Sequence, residues 1–131
     1  MIPVILESPY DGETSLEIAL NVKYARKCMR DCLDRGEAPF ASHLLYTQPG
    51  ILDDSVPDER EKGIEASFVW RSYAKKIVVY CDRGITKGMK KGIKRAEEEG
   101  REIEYRFLFQ TCQGLDQSIT SATFRYLKEN Q

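Results

Sequence analysis

Long apolar runs are missing from this 131-residue chain, and no segment approaches the length of a membrane span. The N-terminus lacks the basic and apolar blocks of a secretory signal, so the expected location is cytoplasmic and no membrane partner is expected. A dominant charge is missing too. Lys and Arg number 20 against 21 Asp and Glu, a net charge of -1, which gives no basis for holding a nucleic-acid polymer by bulk attraction. Imidazole is scarce, since His43 is the single histidine. The four cysteines, Cys28, Cys32, Cys81 and Cys112, include no Cys-x-x-Cys pair, so they read as reduced packing residues rather than a zinc site or a disulfide framework. Neither a metal nor a cofactor is expected. Internal repeats and low-complexity segments are also absent.

What remains is an ordinary globular composition, 41% hydrophobic and 31% charged, sufficient for one domain with a layered core. Apolar runs at 2–6, 77–81 and 103–109 read as strands, and a further strand is expected over 37–45. Helical periodicity runs through Leu16, Leu20, Ala25, Cys28, Met29, Cys32 and Leu33, and Gly36 stands where a helix should stop. A second helix is expected over 58–73 with Ile64, Phe68 and Trp70 turned inward. A third begins near Thr86, buries Met89, Ile93 and Ala96, and ends at Gly100. A last helix is expected over 118–130. The alternation of strands and helices predicts an α/β fold: a doubly wound, Rossmann-like parallel sheet of four to five strands with helices on both faces. Residues 1–110 form the expected domain, and 111–131 a helical extension whose Ile119, Phe124 and Leu127 suit a contact in a homo-oligomer.

In an open α/β sheet, ligands bind where strands end and helices begin. The Asp82-Arg83-Gly84-Ile85-Thr86-Lys87-Gly88-Met89 segment is such a place. Gly84 and Gly88 permit close backbone approach, Thr86 can cap the helix or touch a phosphate, and Lys87 adds charge to amides already suited to an anion. The glycine spacing fits neither a Walker motif nor a dinucleotide fingerprint. At the end of the first strand, Glu7-Ser8-Pro9-Tyr10 offers an acid, a hydroxyl, a fixed backbone and a ring for stacking. Any imidazole acid–base or ligand role must fall to His43, at the end of the second expected strand. Among the acids at Asp53, Asp54, Asp58, Glu59, Glu61 and Glu65, Asp58 and Glu59 suit a helix start, and Glu65 lies in the stretch that leads toward the sheet edge.

Together these segments resemble the nucleoside 2-deoxyribosyltransferase-like superfamily, and more closely a branch of small bacterial and phage proteins. The matching residues are Ser8-Pro9-Tyr10, Asn21-Val22, the run from Arg35 to Leu44, Leu52-Asp53-Asp54, Gly63-Ile64-Glu65-Ala66, the Asp82–Met89 turn and Glu104-Tyr105-Arg106. The resemblance implies a nucleoside-type ligand above the carboxyl edge of the sheet and pockets near subunit contacts. It also implies a glutamate nucleophile on the helix after the glycine turn, at the position held here by Gly92. Glycine has no nucleophile to offer, and the acid usual before the central strand is replaced by Lys75 or Lys76. Two readings follow. One is a binder of a nucleoside or nucleotide, such as a phage protein that sequesters a defence signal, with Ser8, Pro9, Tyr10, His43, Asp82, Gly84, Thr86, Lys87, Gly88 and Met89 around the ligand. The other is an enzyme that cleaves or transfers an N-glycosidic bond, using Glu7 or Glu65 as its acid.

Overall fold

The computed structural model describes residues 1–109 and 118–119. The elements follow in the order β1 (Ile2–Glu7), α1 (Ser15–Asp34), β2 (Glu37–Phe40), α2 (Ser42–Leu45), α3 (Pro57–Arg71), β3 (Lys76–Tyr80), α4 (Lys87–Glu98), β4 (Glu102–Arg106) and β5 (Ser118–Ile119). The sheet order is β2-β1-β3-β4-β5, with β1 to β4 mutually parallel and β3 at the centre. This is the doubly wound sheet that the alternation predicts. The short β5 runs antiparallel to β4, Tyr105 facing Ile119. A helix was expected from residue 118, but Ser118–Ile119 is this strand; the rest of the expected extension lies outside the described residues.

Alternation along the strands assigns the two faces. Val4, Leu6, Val78 and Tyr80 face α1, where they meet Tyr24, Cys28 and Cys32. Ile5, Ile77 and Val79 face the other way, against Met89, Ile93 and Ala96 of α4. Leu16, Leu20 and Leu33 of α1 are exposed, because the buried stripe runs through Asn21, Tyr24, Ala25, Cys28 and Cys32 instead. Trp70 is likewise half exposed rather than inward. The helix stops are as expected: Gly36 and Gly100 have φ of 80° and 68°, a region open to glycine at little cost.

The strand expected over 37–45 ends at Phe40. Among the described residues it pairs with β1 alone, whose last paired residue there is Ile5. Beyond that point the chain turns into α2, with the Ala41 carbonyl accepting from the amides of Leu44 and Leu45.

A charged network lies within the α1 face. Arg106 is 1% exposed and donates through both terminal nitrogens to Glu37, at 2.7 and 2.6 Å. It also donates to the Tyr80 hydroxyl at 3.1 Å and to Glu104. Lys76 reaches Glu37 at 3.1 Å and Glu104 at 3.2 Å. Two cations thus balance two carboxylates. Burial pushes Glu37 and Glu104 upward, but the bonds from Arg106 and Lys76 outweigh it and hold both below the usual carboxylate range. Among the described residues, no helix is long and apolar enough to cross a membrane.

Candidate functional site

The sheet order reverses between β1 and β3, and at the carboxyl ends of these strands lies a cavity of about 670 Å³. That is the place where open α/β sheets bind ligands, and the volume suits a small molecule. Three walls close it. The end of β1 and the turn after it contribute Glu7, Ser8, Tyr10 and Asp11. The α2–α3 segment contributes His43, Tyr46, Arg60, Phe68 and Arg71. The start of α4 contributes Thr86, Lys87, Gly88, Met89, Lys91 and Gly92.

The floor is polar and fixed. Arg71 is almost fully buried and donates from Nη1 to Glu7 Oε1 at 3.0 Å and from Nη2 to the Gly92 carbonyl at 2.6 Å. Its guanidinium also stacks on Phe68, 5.3 Å from the ring centre. Burial raises the Glu7 carboxyl above the usual range, against the opposing pull of Arg71. Beside it, the buried Ser8 hydroxyl lies 2.7 Å from His43 Nε2. Burial pushes the His43 imidazole down to about 4, so the ring is neutral at pH 7.

That neutrality has a measurable cost in acid. The unfolded chain takes up a proton at His43 below about 6.5, the folded one only below about 4. Unfolding therefore gains a proton between these values, and folding stability falls as pH drops through the window, by roughly 3 kcal/mol at full effect. Glu7, with its raised value, slopes the other way. Comparing the wild type with His43→Gln isolates the histidine: the variant should lose less stability between pH 6.5 and pH 4 in urea unfolding, and parallel curves would refute the assignment.

The rim at α4 is cationic. Thr86 is the N-cap, its hydroxyl accepting from the Met89 amide at 3.3 Å, so its side chain serves the helix. Lys87 and Lys91 are exposed at the mouth. Arg60 reaches across from α3, and a Cβ placed on Gly88 would lie 3.7 Å from its Nη2. Arg60 is only loosely held by Asp11, at 3.5 Å.

Of the residues singled out from sequence, Glu7, Ser8, Tyr10, His43, Thr86, Lys87, Gly88 and Met89 meet in this cavity. Met89 is also part of the core. Pro9 is buried and Gly84 is exposed with φ of 87°; neither lines the cavity. Asp82 does not line it either. Its carboxylate accepts from the Tyr24 hydroxyl at 2.6 Å and from the Leu108 and Phe109 amides at 2.8 and 2.9 Å, tying α1 to the exit of β4. Glu65 sits on the exposed side of α3, away from the cavity.

Two residues of the cavity escape sequence reading. Arg71 and Arg60 look like surface cations on a helix, and nothing local marks them as pocket residues. Asn21 was visible only within the resemblance. Its amide donates to the Tyr10 and Asp11 carbonyls at 3.1 and 3.2 Å, and its oxygen accepts from Arg83 Nε at 2.8 Å, which fixes the turn that carries Tyr10. On the opposite wall, Trp70 Nε1 donates to the Tyr46 hydroxyl at 3.1 Å. Among the described residues, no group of three or more His, Cys, Asp or Glu is placed to hold a metal ion.

Residues 2–106 match a family described as a domain of unknown function, DUF7768. Among solved structures, the chain is similar to a 2-deoxyribosyltransferase from the psychrotolerant bacterium Bacillus psychrosaccharolyticus. The TM-score is 0.56 at 16% identity, with 80% of this chain and 72% of that chain covered. No curated protein matches.

Proposed function

From the premise that the chain belongs to the DUF7768 family, we propose that it recognises a nucleoside- or nucleotide-type ligand in the cavity between β1 and α4. The observation that carries this reading is the polarity of the cavity. A cationic rim of Lys87, Lys91 and Arg60 stands at the start of α4, and a carboxylate, a hydroxyl and a neutral imidazole stand on the floor. A nucleotide has the matching ends: a phosphate for the helix start and hydroxyl or N–H donors for the floor. Tyr10 and Tyr46 supply ring faces for a base. The likeness in fold to a 2-deoxyribosyltransferase agrees with a nucleoside-type ligand. Capture of the ligand is the function we favour, as for a protein that sequesters a nucleotide signal, because position 92 is glycine and offers no nucleophile.

Thermal shift across a panel of nucleosides and nucleotides tests binding, and calorimetry then divides the ligand. Lys87→Ala should weaken a 5′-phosphorylated ligand roughly 3- to 10-fold and its nucleoside less than about twofold, in keeping with loss of one exposed charge at a helix start. Equal losses for both would remove the phosphate from the α4 rim.

A second reading rests on Glu7, a partly buried carboxyl with a raised pKa that lines the cavity. Such a group suits acid–base or nucleophilic work at an N-glycosidic bond. Incubation with a deoxynucleoside and a second free base, followed by chromatography, should give no exchanged product if capture is the function. Exchange that vanishes in Glu7→Gln would establish the enzyme instead.

A further inference from the structure

Gly92 stands in the interior of α4, where glycine is a poor helix former and no positive φ calls for it. Its neighbour across the cavity floor supplies the reason. A Cβ at this position would lie 2.8 Å from Glu7 Cδ and closer still to Oε1. The free end of a glutamate could ordinarily swing aside. Here it is pinned, because the buried Arg71 holds Oε1 at 3.0 Å and is itself anchored on the Gly92 carbonyl at 2.6 Å. One carboxylate oxygen is thus committed to the protein. The other, Oε2, has no hydrogen-bond partner among the described residues, and Glu7 lines the cavity.

We propose that Gly92 is the seat of the Glu7 carboxylate, and that Glu7, positioned by Arg71, reads a hydrogen-bond donor on the ligand. The proposal rests on the nucleotide-type reading given above. It names the acceptor: Glu7 takes an O–H or N–H group of the ligand, and an anionic group is turned away toward Lys87 and Arg60. It also makes position 92 a determinant of specificity, since any side chain there displaces the acceptor.

Stability tests the seat without a ligand. Gly92→Ala should lower the thermal midpoint in the wild-type background. In a Glu7→Ala background the same change should leave the midpoint unchanged or raise it, because the helix then gains alanine with nothing to strike. Equal shifts in both backgrounds would overturn the seat. Calorimetry tests the acceptor, with the 2′-deoxynucleosides and their 5′-monophosphates as probes. Glu7→Ala and Gly92→Ala should each weaken the tightest probe tenfold or more. The double variant Glu7→Ala/Gly92→Glu, which returns a carboxylate to the floor from the helix side, should recover most of that loss. A folded double variant no better than Glu7→Ala alone would overturn the role of Glu7. A wild-type protein that binds none of the probes would overturn the proposed function and the acceptor role with it, while the midpoints still decide the seat.

Discussion

Arg106→Met is expected to cost about 3–5 kcal/mol of folding stability, the range for removing one partner of a buried ion pair. Methionine keeps an apolar stem but not the guanidinium, so the loss comes mainly from the charge and its donors. Among the described residues Glu37 would keep Lys76 alone as a cation, and the Tyr80 hydroxyl and Glu104 would each lose a donor. For a domain of this size the midpoint should fall by at least about 10 °C. Arg106→Lys should recover only part of the loss, because an ammonium cannot reproduce the two parallel bonds to Glu37. Urea and thermal unfolding of the three proteins check this. A loss under about 1 kcal/mol would mean that the network contributes little to the folded state.

The second large effect is expected at Arg71. Replacement by Met leaves the Glu7 carboxylate without its counter-charge and takes from the Gly92 carbonyl its side-chain donor, at a cost of about 2–4 kcal/mol at pH 7. This loss should depend on pH in a definite direction. With the opposing cation gone, the already raised pKa of Glu7 rises further. Protonation then relieves the penalty, so the gap between variant and wild type should narrow as pH falls from 7 to 5. Adding Glu7→Gln to Arg71→Met should recover about half of the loss at pH 7 by removing the stranded charge. Urea unfolding at the two pH values measures both. A gap that is the same at pH 5 and pH 7, with no recovery in the double variant, would show that Arg71 acts by packing on Phe68 and not by charge.

These two arginines mark the boundary of what sequence could reveal. The alternation of apolar strands with capped, glycine-stopped helices was readable because each signal is local: Thr86 caps its own helix, and Gly36 and Gly100 end theirs. The position of the cavity followed from topology, because the turn after β1 and the start of α4 must share one edge of a parallel sheet. The end of β2 is not readable, because Ala41, Leu44 and Leu45 are apolar enough for a strand, yet pairing stops at Phe40 while β1 continues to Glu7, and the chain turns into α2. The inward face of α1 is legible only in part: Ala25, Cys28 and Cys32 fit the helical period and are buried, whereas Leu16, Leu20 and Leu33 fit it and stay exposed, and polar Asn21 is buried. The charged network and the cavity floor join residues distant in the chain, and no local pattern announces that Arg106 will find Glu37 or that Arg71 will find Glu7. The glycine at position 92 could be seen to lack a side chain; what fills the space could not.

The hydrogen bond from Trp70 to Tyr46 carries an optical consequence. The chain has a single tryptophan, so its long-wavelength emission comes from one place. That indole is half exposed, lies 5.9 Å from the Phe40 ring, and is tied through its N–H to a tyrosine that lines the cavity. Light absorbed by the tyrosines nearby can pass to the indole, and its spectrum responds to the polarity around its N–H. The protein therefore holds a native fluorophore one bond away from its cavity, and occupancy can be followed at equilibrium or in a stopped flow without a dye, a label or a mutation.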